Sequence, residues 1–172
     1  MTPPTIPQNE LERLRELESF EILDTFEEDD CDRITALASE ICEAPISLIC
    51  FIDEERQWFK SSQGIDATET PREYAFCAHA INEPNNVFQI PDARLDDRFH
   101  DNPLVTEGPG IVSYAGIPLK TNSGHALGML CVIDRKPKEL DENQLSALRV
   151  LADQVIHLLE LRRTNKNSMI SS

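Results

Sequence analysis

Apolar positions recur every three or four residues in three stretches of the chain, and continuously or on alternate residues in five others. Leu11, Leu14 and Leu17 form a first helical stripe, with Asn9 as its N-cap. Phe20, Ile22 and Leu23 anchor the connection that follows. A second helix is predicted over residues 28–43, where Ile34, Leu37, Ala38 and Ile41 share a face and Pro45 ends the run. Residues 46–53 are apolar on both faces, which predicts a strand covered on both sides. Residues 56–62 return as a second strand, and residues 87–92 form a third. Residues 111–119 and 125–134 flank the turn Thr121-Asn122-Ser123-Gly124, a hairpin signal. A long closing helix starts near Leu140, capped by Asp141. Leu145, Leu148, Leu151, Ala152, Val155, Leu158, Leu159 and Arg162 follow at helical spacing.

Between these elements, residues 64–74 read as loop and residues 75–81 as a short helix or irregular buried segment. Residues 93–105 read as two helical turns with Asp92 and Asp101 as caps. Residues 1–8, with three prolines, read as a flexible arm, residues 9–163 as the domain, and residues 164–172 as a polar, frayed tail. Hairpin-linked strands require an antiparallel sheet, and helices flank it at both ends of the chain. The expected fold is α/β of the α+β type: a three-layer α/β/α sandwich around a five- to six-stranded antiparallel sheet. The stretch between the second and fourth strands is too long to pack into that sheet. It should fold over one face and roof a pocket.

Composition narrows the function classes. The 172 residues are 40% hydrophobic and 27% charged, an ordinary globular balance for one domain. A net charge of −15 repels phosphate backbones and anionic lipid, which argues against nucleic-acid and membrane partners. No apolar run approaches the ~20 residues of a membrane span, and the first ten residues do not form a signal peptide. Cys31, Cys42, Cys50, Cys77 and Cys131 are odd in number, irregularly spaced and partly within apolar runs. That is the pattern of reduced, buried thiols in the cytoplasm.

An ordered series of segments then carries a resemblance: residues 26–66, TPREYAFCAHAI (70–81), PDARLDDRFHDNPLV (91–105), YAGIPLKTNSGHALGMLCVIDRKP (114–137) and the closing helix. Together, over about residues 9–163, they resemble a GAF domain of the bacterial subtype that precedes histidine kinase or diguanylate cyclase modules. The resemblance implies a six-stranded antiparallel sheet, with the sixth strand short and near residues 70–78. It further implies a non-catalytic sensory or regulatory domain, binding a small molecule or a signalling partner, and a homodimer through its terminal helices. No kinase or cyclase segment follows the closing helix, so the output is exercised on a partner in trans, or the chain is part of a longer one. The pattern linked to cyclic GMP in some GAF domains is not evident. The bilin-anchoring Cys-His motif of others lies later in their domain and is not matched here.

Candidate chemistry centres on Cys77 and His79. On a helix these two side chains point about 200° apart and could not easily share a ligand. No further Cys/His pair stands at metal-ligand spacing, so a structural or pocket-lining role is the simpler reading, and no metal site is assigned. Similarity of some GAF proteins to methionine sulfoxide reductases leaves a second function open, a thiol-based redox enzyme using Cys77, with Cys31 a distant second thiol. A pure interaction module with a vestigial pocket is the third. Asp92, Asp96, Asp97 and Asp101 could hold a hard cation, but Arg94 and Arg98 are interleaved, and caps and ion pairs explain them better. Of Trp58 and Phe59, one ring should enter the core while the other lines a pocket or interface. Gly116, after Tyr114, marks a close approach in a strand. By analogy with the GAF pocket, Trp58, Phe76, Cys77, His79, Phe99, Asn102, Tyr114 and Gly116 are placed near a ligand. No cofactor is assigned.

Overall fold

The computed structural model describes residues 1–171, with side chains as far as Asn165. α1 (Glu10–Phe20) buries Leu17 and Phe20, and α2 (Asp29–Cys42) buries Ile34, Thr35 and Ala38, positions that make one stripe. Asp29, Asp30 and Asp32 stand in the first turn of α2, where carboxylates complement the positive end of the helix dipole.

Among the described residues, six strands form one sheet. They are β1 (Ile46–Ile52), β2 (Arg56–Gln63), β3 (Glu69–Pro71), β4 (Phe88–Ile90), β5 (Ser113–Lys120) and β6 (Ala126–Asp134). The spatial order is β3-β2-β1-β6-β5-β4, with every neighbouring pair antiparallel. α3 (Phe76–Ala80) lies between β3 and β4, α4 (Pro103–Thr106) between β4 and β5, and α5 (Glu142–Ser171) closes the chain. The sixth strand of the expected sheet is therefore β3, inside the segment read as loop.

Central β1 is buried at every position. Ile49 and Phe51 pack with α1, α2 and α5, while Ile46, Leu48, Cys50 and Ile52 pack with α3 and the long connections. Period-two alternation thus builds two cores from one strand. Burial of each such side chain contributes roughly 1.5–3 kcal/mol, so the central strands carry much of the stability. β6 meets β1 at Gly128, where a Cβ would lie 1.8 Å from the Cys50 carbonyl oxygen, so only glycine permits this pairing.

β2 carries a bulge. Ile49 pairs with Ser61 and Cys50 with Phe59, leaving Lys60 as the extra residue. Lys60 and Ser61 both turn toward the helices. The Lys60 ammonium donates to Thr25 Oγ1 at 2.9 Å and meets Glu28 at 2.7 Å, and the Ser61 hydroxyl donates to Asp32 at 2.6 Å. A buried lysine is tolerated here because Thr25 and Glu28 compensate its desolvation.

Both terminal segments have defined positions. The first residues lie along the outside of α3 and α4: Asn82 Nδ2 donates to the Thr5 carbonyl at 3.1 Å, and the Met1 ammonium meets Asp101 at 2.5 Å. α5 continues past Arg163 to Ser171, where the sequence reads as a polar tail. Ser172 lies outside the described residues.

Candidate functional site

The segments between β2 and β5 arch over the face of the sheet opposite α1, α2 and α5. Beneath them is a chamber of about 340 Å³, within the range of small-molecule sites. Leu48, Phe59, Phe76, Leu104, Ile111 and Ile133 are among its apolar walls. Gln57, Thr70, Cys77 and Tyr114 bring polar atoms to it, and exposed Asp66 and Arg135 stand at its rim. The Arg135 side chain is held by Nε, which donates to the Pro109 carbonyl at 2.8 Å.

Gln57 is 4% exposed. Its Nε2 donates to Thr70 Oγ1 at 2.9 Å, but its Oε1 is buried without a partner. A buried carbonyl oxygen left unpaired costs about 1–3 kcal/mol. The opposite amide rotamer would orphan the nitrogen instead, so in either setting one end of the amide is unserved.

Deeper in, three thiols from distant parts of the chain meet. Cys50 comes from β1, Cys77 from α3 and Cys131 from β6, all within the second core. The Cys50 thiol donates to Cys77 Sγ at 3.2 Å, and the Tyr114 hydroxyl lies 2.9 Å from the same sulfur. Burial pushes Cys50 and Tyr114 up. At Cys131 a hydrogen bond from Cys50 works downward, yet the bond to Cys77 and burial carry the thiol up. At Cys77 burial works upward, but hydrogen bonds from Cys131, Cys50 and Tyr114 overcome it and hold this thiol well below the ordinary value. Gly116 makes room for the arrangement: a Cβ there would stand 2.9 Å from the Tyr114 hydroxyl.

Of the eight residues singled out in the sequence, the structure brings Phe76, Cys77 and Tyr114 to the chamber. Gly116 sits behind Tyr114. Trp58 is a correction, because it packs in the helix-side core and its neighbour Phe59 lines the chamber. Adjacent strand residues face opposite ways, so one ring had to leave the site. His79 and Phe99 do not line the chamber either. His79 bonds the Thr2 carbonyl at 3.1 Å and meets Phe99 edge-on at 4.8 Å, and Phe99 stacks on Phe76 at 4.0 Å. Burial lowers the His79 pKa. Asn102 is a bracket: it caps α4 through Leu104 N at 2.9 Å and donates to the Tyr74 carbonyl at 3.0 Å. It fills the capping role read for Asp101. Sequence reasoning missed Gln57, Leu48 and Ile133. The last two were accessible from alternation, since they share faces with Cys50 and Cys131.

Two other features compete for attention. A larger hollow of about 520 Å³ opens on the helix side between the start of α2 and α5. Its cations already face carboxylates, with Lys60 at 2.7 Å and Arg162 at 3.3 Å from Glu28. Asp92 and Asp96 after β4 are likewise engaged, with Arg94 at 2.8 Å and Arg98 at 3.0 Å. No group of three or more His, Cys, Asp or Glu side chains among the described residues is placed to hold a metal ion. No helix among them is long and apolar enough to cross a membrane.

The GAF domain family model matches residues 27–158. A cyclic di-GMP phosphodiesterase of Pseudomonas aeruginosa is 41% identical over 167 residues, which is 96% of this chain but 28% of that protein's length. The chain therefore spans little more than a quarter of that relative. Among solved structures, the GAF domain of an Acinetobacter phosphoenolpyruvate-protein phosphotransferase superposes with a TM-score of 0.63 at 18% identity, covering 91% of this chain and 96% of that one. A domain of a Sinorhizobium meliloti two-component sensor histidine kinase protein gives 0.64 at 16% identity, covering 85% and 99%. Identities this low speak for the fold alone.

Proposed function

The chain belongs to the GAF domain family, and from that footing we propose that it is a non-catalytic sensory domain that binds a small, largely apolar molecule beneath α3. The observation that carries this reading is the buried, unpartnered Gln57 Oε1 at an apolar chamber. An empty site leaves that oxygen unpaired, whereas a ligand carrying one N–H or O–H donor satisfies it. The preferred ligand is therefore compact, apolar over most of its surface, and equipped at one end with a polar group that pairs with the unserved end of the Gln57 amide.

Binding acts by population shift. A ligand that touches α3 and the loops favours the closed arrangement of the roof, and α3 contacts β1, β5 and β6 of the sheet. The output this signal serves is an enzyme of cyclic-dinucleotide turnover or a histidine kinase, in the same polypeptide or in trans. The name of the Pseudomonas relative supports the first of these. A second copy of the chain, paired through the terminal helices, completes the proposed assembly.

The test is native mass spectrometry of the freshly purified chain, alongside thermal melts against a metabolite library. A retained or stabilising small molecule is expected. Gln57→Leu should weaken its binding about tenfold, the worth of one buried hydrogen bond. Equal affinity in wild type and Gln57→Leu, or no ligand across the library, would sink the reading.

A further inference from the structure

We propose that Cys50 and Cys77 are a peroxide-reactive thiol pair, in which a small hydroperoxide entering the chamber oxidises Cys77 and Cys50 then closes a disulfide between sheet and roof. Three observations carry this. The two sulfurs are 3.2 Å apart although their residues belong to separate elements, β1 and α3. Cys77 lines the chamber while Cys50 stands behind it, so one thiol meets the oxidant first and the other is the resolving partner. The Tyr114 hydroxyl, 2.9 Å from Cys77 Sγ, is placed to relay a proton to the departing oxygen.

The chemistry balances in two steps. Cys77 sulfur attacks the distal peroxide oxygen, and the O–O bond breaks. Cys77 becomes a sulfenic acid, and the thiol proton leaves with the alkoxide as an alcohol, or as water when the oxidant is hydrogen peroxide. Cys50 sulfur then attacks Cys77 sulfur, and the sulfenic hydroxyl departs with the Cys50 proton as water. Two thiols give up two electrons in all, and the peroxide bond accepts them. The new bond would tie α3 to the central strand and narrow the chamber. This inference uses the chamber as an entry path and requires no resident ligand, so a failed ligand search leaves it standing.

Hydrogen peroxide and cumene hydroperoxide are the probes. The folded wild-type chain is treated with each, remaining thiols are alkylated, and proteolytic peptides are mapped without reduction. A Cys50–Cys77 peptide pair about 2 Da lighter than its reduced sum is expected, reversed by dithiothreitol. Cys31 and Cys42 are the internal reference, buried on the helix side with thiols pushed up to about 11, and they should remain alkylatable. Cys50→Ala should instead leave a Cys77 sulfenic acid trapped by dimedone, and Cys131→Ser should still form the cross-link. Wild-type mapping needs no variant to fold. Five unmodified thiols, a Cys77–Cys131 link, or oxidation of Cys31 and Cys42 at the same rate would each overturn the assignment.

Discussion

The Glu10 carboxylate lies between two guanidinium groups, Arg13 at 2.9 Å and Arg72 at 2.6 Å. Burial works to raise its pKa, but the hydrogen bonds and charges of Arg13 and Arg72 bring it from 4.5 down to about 2. Arg72 also donates to the Asp53 carbonyl at 2.9 Å, so this one carboxylate joins α1 to the β1–β2 turn and to the segment entering the roof. A depressed folded pKa gives stability that is complete above the unfolded value and lost as pH falls through the folded one. Acid denaturation should therefore include a component between pH 4.5 and about 2 that Glu10→Gln removes. At neutral pH the same substitution should cost about 1–2 kcal/mol, discounted for solvent screening of a partly exposed pair, as read by urea titration. An unchanged urea midpoint would contradict it. Nothing in the local pattern of residues 9–20 marks Glu10, because its second partner lies 62 residues away. The rings at 58 and 59 teach a related lesson. Alternation placed them on opposite faces, but only the packed helices determined which face was the roof.

At the scale of elements, capping chemistry was legible where both partners are close in sequence. Asp141 accepts from Gln144 N at 2.8 Å, and Gln144 Oε1 accepts from Asp141 N at 3.0 Å, a reciprocal box at the start of α5. Asp141→Ala should lower stability by about 1 kcal/mol and raise amide exchange in the first turn of α5, while leaving exchange in β1 set by global unfolding. Equal protection in that turn would count against the box. Asn9 stands at the N-cap of α1 but makes no capping bond, pairing instead with His125 at 2.9 Å from the β5–β6 turn. β3 escaped notice for a different reason. It is three residues long, carries Pro71, and is half-exposed or exposed throughout, so it lacks the apolar alternation that betrays a strand. Among the described residues its only strand partner is β2, at the edge of the sheet.

At the scale of the whole molecule, the outer faces of the terminal helices bear on assembly. Val150 and Leu161 are 61% and 47% exposed on α5, and eleven residues is close to three full helical turns, so they share a stripe. Leu11 on α1 is 63% exposed. If a second copy covers these positions, sedimentation equilibrium should show a dimer, and Val150→Glu should weaken it at least tenfold, about 1.4 kcal/mol. A concentration-independent monomer for the wild type would end the dimer proposal.

The chain by itself determined its helices, its hairpin and its doubly buried central strand, because these rest on spacing within short windows, while its likeness to the GAF family rests on an ordered series of segments along nearly its whole length. It also pointed to Phe76, Cys77 and Tyr114. Only the tertiary structure decided that Cys50, Cys77 and Cys131 would meet, that Gln57 would be buried with one atom unserved, and that His79 and Asn102 would serve the roof rather than the chamber. Those outcomes depend on where distant elements come to rest. Contact and desolvation belong to the packed molecule, and no local period encodes them.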